Sequence, residues 1–596
     1  MALLSLSRAA LLLTSLLSIC TAAPVELVTI SADPSPSDPA VQEHLRRQAD
    51  LIANEKLERS DYAFRSSLSN TAIQAEAIVA AIRQHEIENF WRVAGGLGHE
   101  EDERFAGMMF PKAKPLIPST TLWTIISRMP KGSLLHAHPS AVMDYGTILD
   151  ILLGTEGMVI SASQSVSTPL AAANATIAFA HVNNITAVAQ QQGNVSISSP
   201  DYAPGALVPL THAADAYPGG RAGFAEFWMS KVTISEEESV RHDLGVDAIW
   251  RTFQKCFDPA GSATSYEPVL REVYQRMFAA FVDDGIYWAE FRSGGSSASL
   301  VPAGEETPDP DPEFQFRVLV EELEKFQATE KGQAFWGLRV IWSDVRSKAR
   351  ESILTNMKKA IQRKQNFPNL FSGYDLVAQE DLGRPLSDLA PELLWFQNQT
   401  ASLDLNMPFF FHAGETLGDG NATDDNLFDA LLFESRRIGH GFSLFKHPEL
   451  MELARKRSVI VEVCPISNEV LRLNTDILHH PLPAMIAHGI PVAISNDDPA
   501  ILGQDNPGLS YDFYQTIQGF DNIGLGGLGA MAHNSVRWSN FEDQDHEEWV
   551  RDIQLGAAGT GIKAQRLRDW EAKWEAFCEW IVDEYSEWQK NMTIIG

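Results

Sequence analysis

Cysteine is scarce in this chain of 596 residues, with four in all. One of them, Cys20, lies in an apolar N-terminal stretch, which leaves Cys256, Cys464 and Cys578 for the remainder. Three thiols cannot build a disulfide framework, so a hydrophobic core must hold the fold. Three buried thiols are the simplest expectation, and Cys256–Cys578 is the one bridge to consider. Positive charge is also in short supply: 47 Lys and Arg stand against 78 Asp and Glu, a formal net charge of −31. That balance argues against nucleic acid or an anionic membrane surface as partner. Beyond the N-terminus no apolar run reaches the roughly 20 residues that span a bilayer. A Gly-rich turn after a first strand is missing too. Gly524, Gly526 and Gly529 spell G-x-G-x-x-G, but they follow a loop at 519–522. No ribose-binding acid is placed about 20 residues on within a βαβ unit. The three glycines read as a connection, not as a nucleotide site.

What is present begins with a leader. Residues 1–23 read as a secretory signal, with Arg8 as the positive region, a short apolar core at 9–19 and small residues at Thr21-Ala22-Ala23. Six N-x-Ser/Thr sequons, at Asn174, Asn184, Asn194, Asn398, Asn421 and Asn591, agree with export. The expectation is a secreted, extracellular glycoprotein without a membrane span. Residues 24–110 then form a leader and a helical arm. The arm is free of proline over 41–93 and carries Ile73, Ala77, Ile78, Ala81 and Ile82 at helical spacing. It either packs on the main domain or makes a dimer contact.

Residues 111–596 carry the main domain. Charge-poor sequence rich in Ala, Ser, Thr and Asn, with three clustered sequons, marks 155–220 as an inserted, glycosylated and β-rich subdomain. Outside it, eight β-prone runs alternate with helical stretches such as 268–283 and 312–329. The runs are 132–138, 285–291, 337–342, 370–376, 407–412, 437–441, 458–464 and 491–496. Eight alternating units predict an α/β fold of the (β/α)8 TIM-barrel type, with an open doubly wound sheet as the alternative.

The residues that carry chemistry sit where those runs end. His136 and His138 are two apart on a strand and so share one face. His412 closes Phe409-Phe410-Phe411, and Glu415 follows three residues later. His440 ends another run between two glycines, and Asp497-Asp498-Pro499 ends the last. In a barrel all these ends open on one face, where such enzymes keep their active sites. Three imidazoles and a carboxylate suit Zn²⁺ with one position left for water. Glu415 and His440 are then spare for proton transfer. Adjacent Asp497 and Asp498 point apart, so one can face a metal and the other a substrate.

Taken together, Met129-Pro130-Lys131, His136-Ala137-His138, His412-Ala413-Gly414-Glu415, Arg437-Ile438-Gly439-His440-Gly441, Cys464-Pro465-Ile466-Ser467-Asn468 and Asp497-Asp498-Pro499 resemble the adenosine deaminase family. The leader, arm and insertion are similar to its secreted branch, the adenosine deaminase-related growth factors. The resemblance implies one zinc per chain on His136, His138, His412 and Asp497, and a purine nucleoside substrate. It implies that Glu415 protonates purine N1, that His440 orients or deprotonates the attacking water and that Asp498 binds N7. It also implies a homodimer through the arm. Two positions depart from the family pattern. Pro139 stands where an aspartate contacts the ribose 5′ end, and Ala378 where a glycine N–H meets purine N3. An extracellular binding protein on a deaminase scaffold and another metal-dependent amidohydrolase remain as alternatives. The first predicts a broken metal set, the second two metals per chain.

Overall fold

The computed structural model describes residues 35–91, 104–193, 195–294, 299–506 and 508–588. The signal segment 1–23 and the sequon residues Asn194 and Asn591 lie outside them. Eleven strands are formed. Eight make the barrel: β1 (Gly132–Ala137), β5 (Ile286–Gly294), β6 (Gly337–Val345), β7 (Phe371–Val377), β8 (His412–Ala413), β9 (Arg437–His440), β10 (Ile460–Val463) and β11 (Val492–Ile494). The other three, β2 (Met158–Ala162), β3 (Ile177–His181) and β4 (Val208–Pro209), belong to the insertion.

The barrel strands form two parallel four-stranded arcs, β1-β5-β6-β7 and β8-β9-β10-β11. Single parallel bridges join the arcs, Tyr374 to Phe409 on one side and Ala137 to Asp497 on the other. The sheet therefore closes, which settles the choice against an open sheet. All eight predicted runs supply a strand. Their helices, such as Glu267–Asp283 before β5 and Phe314–Gln327 before β6, return the chain to the opposite end each time. Two strands, β5 and β6, run three residues past their predicted ends. Arg292 pairs with Ile341, Ser293 with Trp342 and Gly294 with Ser343, so polar residues continue an apolar ladder. Their composition hid them, because the barrel interior is polar at this end.

The remaining elements differ more from expectation. The insertion pairs β3-β2-β4 as an antiparallel sheet but also carries helices Pro169–Asn174, Ile185–Gln192 and Leu210–Asp215, so it is mixed rather than β-rich. The arm is not continuous. Helix Pro39–Glu58 lies in a first compact unit and has no buried residue. Helix Asn70–Glu86 lies in the second unit, capped by the Ser69 hydroxyl accepting from the Ala72 N–H. Its buried face is Ala72, Ala75, Ile78, Val79 and Ile82, whereas Ile73 is 54% exposed. The glycine-rich segment is a helix, Gly524–Arg537, rather than a connection. Its bare face admits close neighbours: a Cβ on Gly529 would meet the Trp574 ring at 2.6 Å, and one on Gly526 the Glu76 carboxylate at 2.4 Å. The glycines serve packing, and the helix ladder outweighs their poor propensity. Cys256, Cys464 and Cys578 are buried free thiols, so the Cys256–Cys578 bridge does not form. No helix among the described residues is long and apolar enough to cross a membrane.

Candidate active site

A charged layer fills the barrel beneath the site. Glu290, Arg292, Asp375, Arg437 and Glu462 are all buried. Glu462 accepts from Arg437 Nε and from Arg292, each at 2.5 Å, and Arg437 reaches Glu290 at 2.8 Å. Above this layer stand the predicted residues. His136 is the last residue but one of β1, His412 begins β8, His440 ends β9, and Asp497 and Asp498 follow β11. His138 leaves β1 and donates its N–H to the Asp497 carbonyl at 3.1 Å. The barrel's closing bridge thus brings together the expected ligands His138 and Asp497, 359 positions apart in the chain. Gly439 makes this possible, because a Cβ there would lie 2.9 Å from the His136 ring.

The layer orients the imidazoles. Nδ1 of His136 lies 2.9 Å from Glu462 Oε2, and Nδ1 of His412 lies 2.7 Å from Asp375 Oδ2. Each carboxylate accepts a proton on Nδ1, so each Nε2 presents a lone pair to the centre. Burial, only partly offset by Asp375, lowers His412 to about 4, and the ring is neutral at pH 7. Burial would raise Asp497, but the imidazoles of His136, His138 and His440 gathered around it outweigh that. Its carboxyl is held well below the usual range.

This geometry tests whether the residues fit a cation. Nε2 of His136 has no hydrogen-bond partner, nor has Asp497 Oδ1, yet the two lie 3.3 Å apart. Nε2 of His138 lies 3.2 Å from the same oxygen. With the Nδ1 proton given to Glu462, the first of these contacts sets one acceptor against another, an opposition that a positive centre between them would relieve. The donor set fits a divalent cation. Ligand atoms of His136, His412, His440 and Asp497 lie within 4.8 Å of one another, and those of His138, Asp497 and Asp498 form a second such group. His440, expected to move protons, is thus as near the centre as the expected ligands.

The proton-transfer groups surround that centre. Glu415 is buried, with its N–H donating to Glu380 at 2.8 Å. Burial, reinforced by the charges of Asp497 and Glu380, pushes its carboxyl well above the usual range. Asp498 is pushed up in the same way, first by burial and then by Asp497. Burial pushes His440 well below the ordinary histidine range. Three residues here hold left-handed backbone without being glycine: Ala378 (φ 75°), His440 (φ 59°) and Asp497 (φ 58°). Such strain gathers at functional sites.

All the expected site residues except His136, which is fully buried beneath them, line one chamber of about 790 Å³. Pro139 lines it as well, and Trp250, Phe253, Phe257 and Tyr274 give it an apolar lining. Sequence reasoning missed Glu462, Asp375 and Glu380. Ser467 and Asn468 were noticed in a motif but given no role. Ser467 donates to Asp497 Oδ2 at 2.8 Å. A signal existed, since Glu462 sits inside the apolar run Ile460–Val463 and Asp375 inside Phe371–Val377. A charge in mid-strand must face a polar interior.

Known proteins resemble most of this chain. Residues 233–554 match the family model for adenosine deaminase. The chain is 30% identical to adenosine deaminase 2-A of Danio rerio over 451 residues, covering 74% of this chain and 82% of that protein. It is 31% identical to adenosine deaminase 2 of Sus scrofa over 479 residues, covering 78% and 82%. Among solved structures it is similar to adenine deaminase from Arthrobacter aurescens, with TM-score 0.44 and 17% identity, covering 72% of this chain and 100% of that one.

Proposed function

The chain belongs to the adenosine deaminase family, and from that premise we propose that it is a secreted zinc enzyme hydrolysing adenosine, and 2′-deoxyadenosine, to the inosine product and ammonia. The observation that carries the reading is the opposed pair of unpartnered acceptors, His136 Nε2 and Asp497 Oδ1, beside the Glu415 carboxyl that burial pushes well above the usual range. His136, His138, His412 and Asp497 would hold the ion, and an N/O set of this kind suits zinc. A bound zinc supplies Lewis acidity and brings the pKa of water down to about 7.

The chain's own groups account for the rest. Glu415, whose carboxyl burial and the charges of Asp497 and Glu380 push well above the usual range, gives its proton to purine N1, which makes C6 electrophilic. His440 orients or deprotonates the attacking water from the side of Asp497. Asp498 holds N7, which accepts, so the carboxyl must donate; burial beside Asp497 favours that protonated form. With C6, N1 and N7 so engaged, N9 and its sugar face the rest of the chamber, whose lining includes Pro139, Trp250, Phe253 and Phe257. Ala378 keeps the N–H that meets N3 while adding a methyl.

The leader at 1–23 and the exposed sequon residues Asn174, Asn184, Asn398 and Asn421 support export. A homodimer through helix Pro39–Glu58 is supported by exposed Leu45, Leu51, Ile52 and Leu57 on it. Metal analysis beside product chromatography tests the central reading. The expected result is one zinc per chain, inosine formed from adenosine, loss of turnover on chelation and its return with zinc. Two metals per chain, or zinc-loaded protein that leaves adenosine, 2′-deoxyadenosine and adenine unchanged, would contradict it.

A further inference from the structure

A backbone amide fixes where each proton lies along a buried path that ends on His440. The Leu482 N–H donates to Nδ1 of His480 at 3.0 Å. A backbone N–H can only donate, so this nitrogen carries no proton. Burial pushes His480 down to about 3, which keeps the ring neutral and places its one proton on Nε2. That nitrogen lies 2.9 Å from Asn468 Oδ1 and donates to it. The amide is thereby fixed in one orientation, which turns its NH₂ toward Nδ1 of His440 at 3.4 Å.

An amide NH₂ has no lone pair to offer, so His440 Nδ1 must accept. The proton of His440 therefore lies on Nε2. This is the nitrogen that faces the reaction centre, 3.9 Å from Asp497 Oδ2 and without a protein hydrogen-bond partner. A doubly protonated ring would set two donors against each other at Nδ1. Glu415 Oε1 approaches the same Nδ1 only to 3.6 Å, outside hydrogen-bond range, and does not set the tautomer.

We infer that Asn468 and His480 are positioning residues that hold His440 as its Nε2–H tautomer, so that His440 meets the reacting atoms as a hydrogen-bond donor and not as a base. The inference rests on the reading of His440 given above and decides between its two roles, orienting water rather than deprotonating it. With Nε2 protonated, the ring can steady negative charge developing on the oxygen that adds at C6. With Nε2 bare, it would set a lone pair against that charge. The path runs from the turn at Ile477–His479 to helix Pro465–Val470 and on to β9, so the polarity is built into the scaffold.

The test reads the tautomer directly. Long-range ¹H–¹⁵N correlation spectra are taken on metal-loaded enzyme labelled with ¹⁵N-histidine, and the His440 signals are identified by their loss in His440→Gln. The expected result is a pyridine-like, unprotonated Nδ1 in the wild type. Asn468→Asp offers an acceptor instead, so Nδ1 becomes pyrrole-like. An imidazole held in its wrong tautomer costs a serine protease about 10⁴ in kcat. On that scale kcat for adenosine is expected to fall at least ~100-fold in Asn468→Asp, with KM within about threefold and metal content unchanged.

If Asn468→Asp fails to fold, His480→Leu and His480→Gln take its place. The first removes the donor and loses kcat; the second restores an N–H to Asn468 and recovers it. A pyrrole-like Nδ1 in the wild type overturns the inference, as does Asn468→Asp with kcat within about threefold of wild type. So does a His480 pair that behaves alike. A wild type that deaminates no adenine nucleoside sinks the deaminase reading instead, and the nitrogen shifts still decide the tautomer.

Discussion

At the scale of residues, the groups that touch the centre were legible and those that aim them were not. His136, His138, His412, His440 and the Asp497-Asp498 pair each end an apolar run, and the barrel rule says where such ends go. Glu462 and Asp375 aim two of these imidazoles from β10 and β7, strands that neither histidine occupies. Only the closed strand order reveals that pairing. Glu462→Gln and Asp375→Asn keep size but remove the charge that draws the proton to Nδ1. Each is expected to weaken zinc binding about 10–100-fold, measured by chelator competition. Affinity equal to wild type in both would contradict the assigned orientation. Ala378 was marked from the sequence as a departure, and its φ of 75° gives a physical reason for a glycine there. Ala378→Gly removes the left-handed strain but adds freedom to the unfolded chain. Unfolding free energy is therefore expected to move by less than about 1 kcal/mol. KM for adenosine is expected to fall as the methyl leaves the ring site. A higher KM would mean the methyl aids binding.

At the scale of elements, alternation of apolar runs and helices was enough to find all eight barrel strands. Register within helices was not. Ile73 looked like core because it is apolar, yet the buried face of Asn70–Glu86 runs through Ala72, Ala75, Ile78, Val79, Ile82 and Glu86. Small residues were undervalued, as they were in the glycine-rich helix Gly524–Arg537. Glu86 gives this junction a pH dependence. Its Oε1 accepts from the Leu122 N–H at 2.9 Å in helix Thr121–Ile126, its other oxygen has no partner, and burial raises its pKa to about 7. The folded state therefore holds this proton more tightly than the unfolded chain, whose carboxyl titrates near 4.5. The stability so gained is complete below pH 4.5 and is lost as pH rises through about 7, at most ~3 kcal/mol. Glu86→Gln is expected to flatten that part of the pH–stability curve, so that the variant gains on wild type between pH 5 and 8 in denaturant melts. A wild-type-minus-variant difference that does not change with pH would refute it.

At the scale of the whole molecule, the acidic surface, sparse cysteine and closed barrel describe a chain held by its core. Two features were beyond the sequence. The insertion's mixed structure depends on strands that pair antiparallel across charge-poor loops. The two compact units, divided after Glu58, cut through what read as a single proline-free arm. Removing residues 24–58 is expected to turn a dimer into a monomer by light scattering while leaving zinc content per chain unchanged. A monomeric full-length protein would remove the assembly from the account. The account's central claim is that a proton on Glu415, beside the histidine–aspartate cation site, drives hydrolysis at C6 of adenosine. The most direct measurement is the ultraviolet absorbance of adenosine on addition of purified zinc-loaded protein, wild type beside Glu415→Gln. The account predicts loss of the adenine chromophore with the wild type and a rate lowered at least ~100-fold in the variant, since Gln cannot give up a proton. Equal rates in the two proteins, or no change with the wild type, would contradict it.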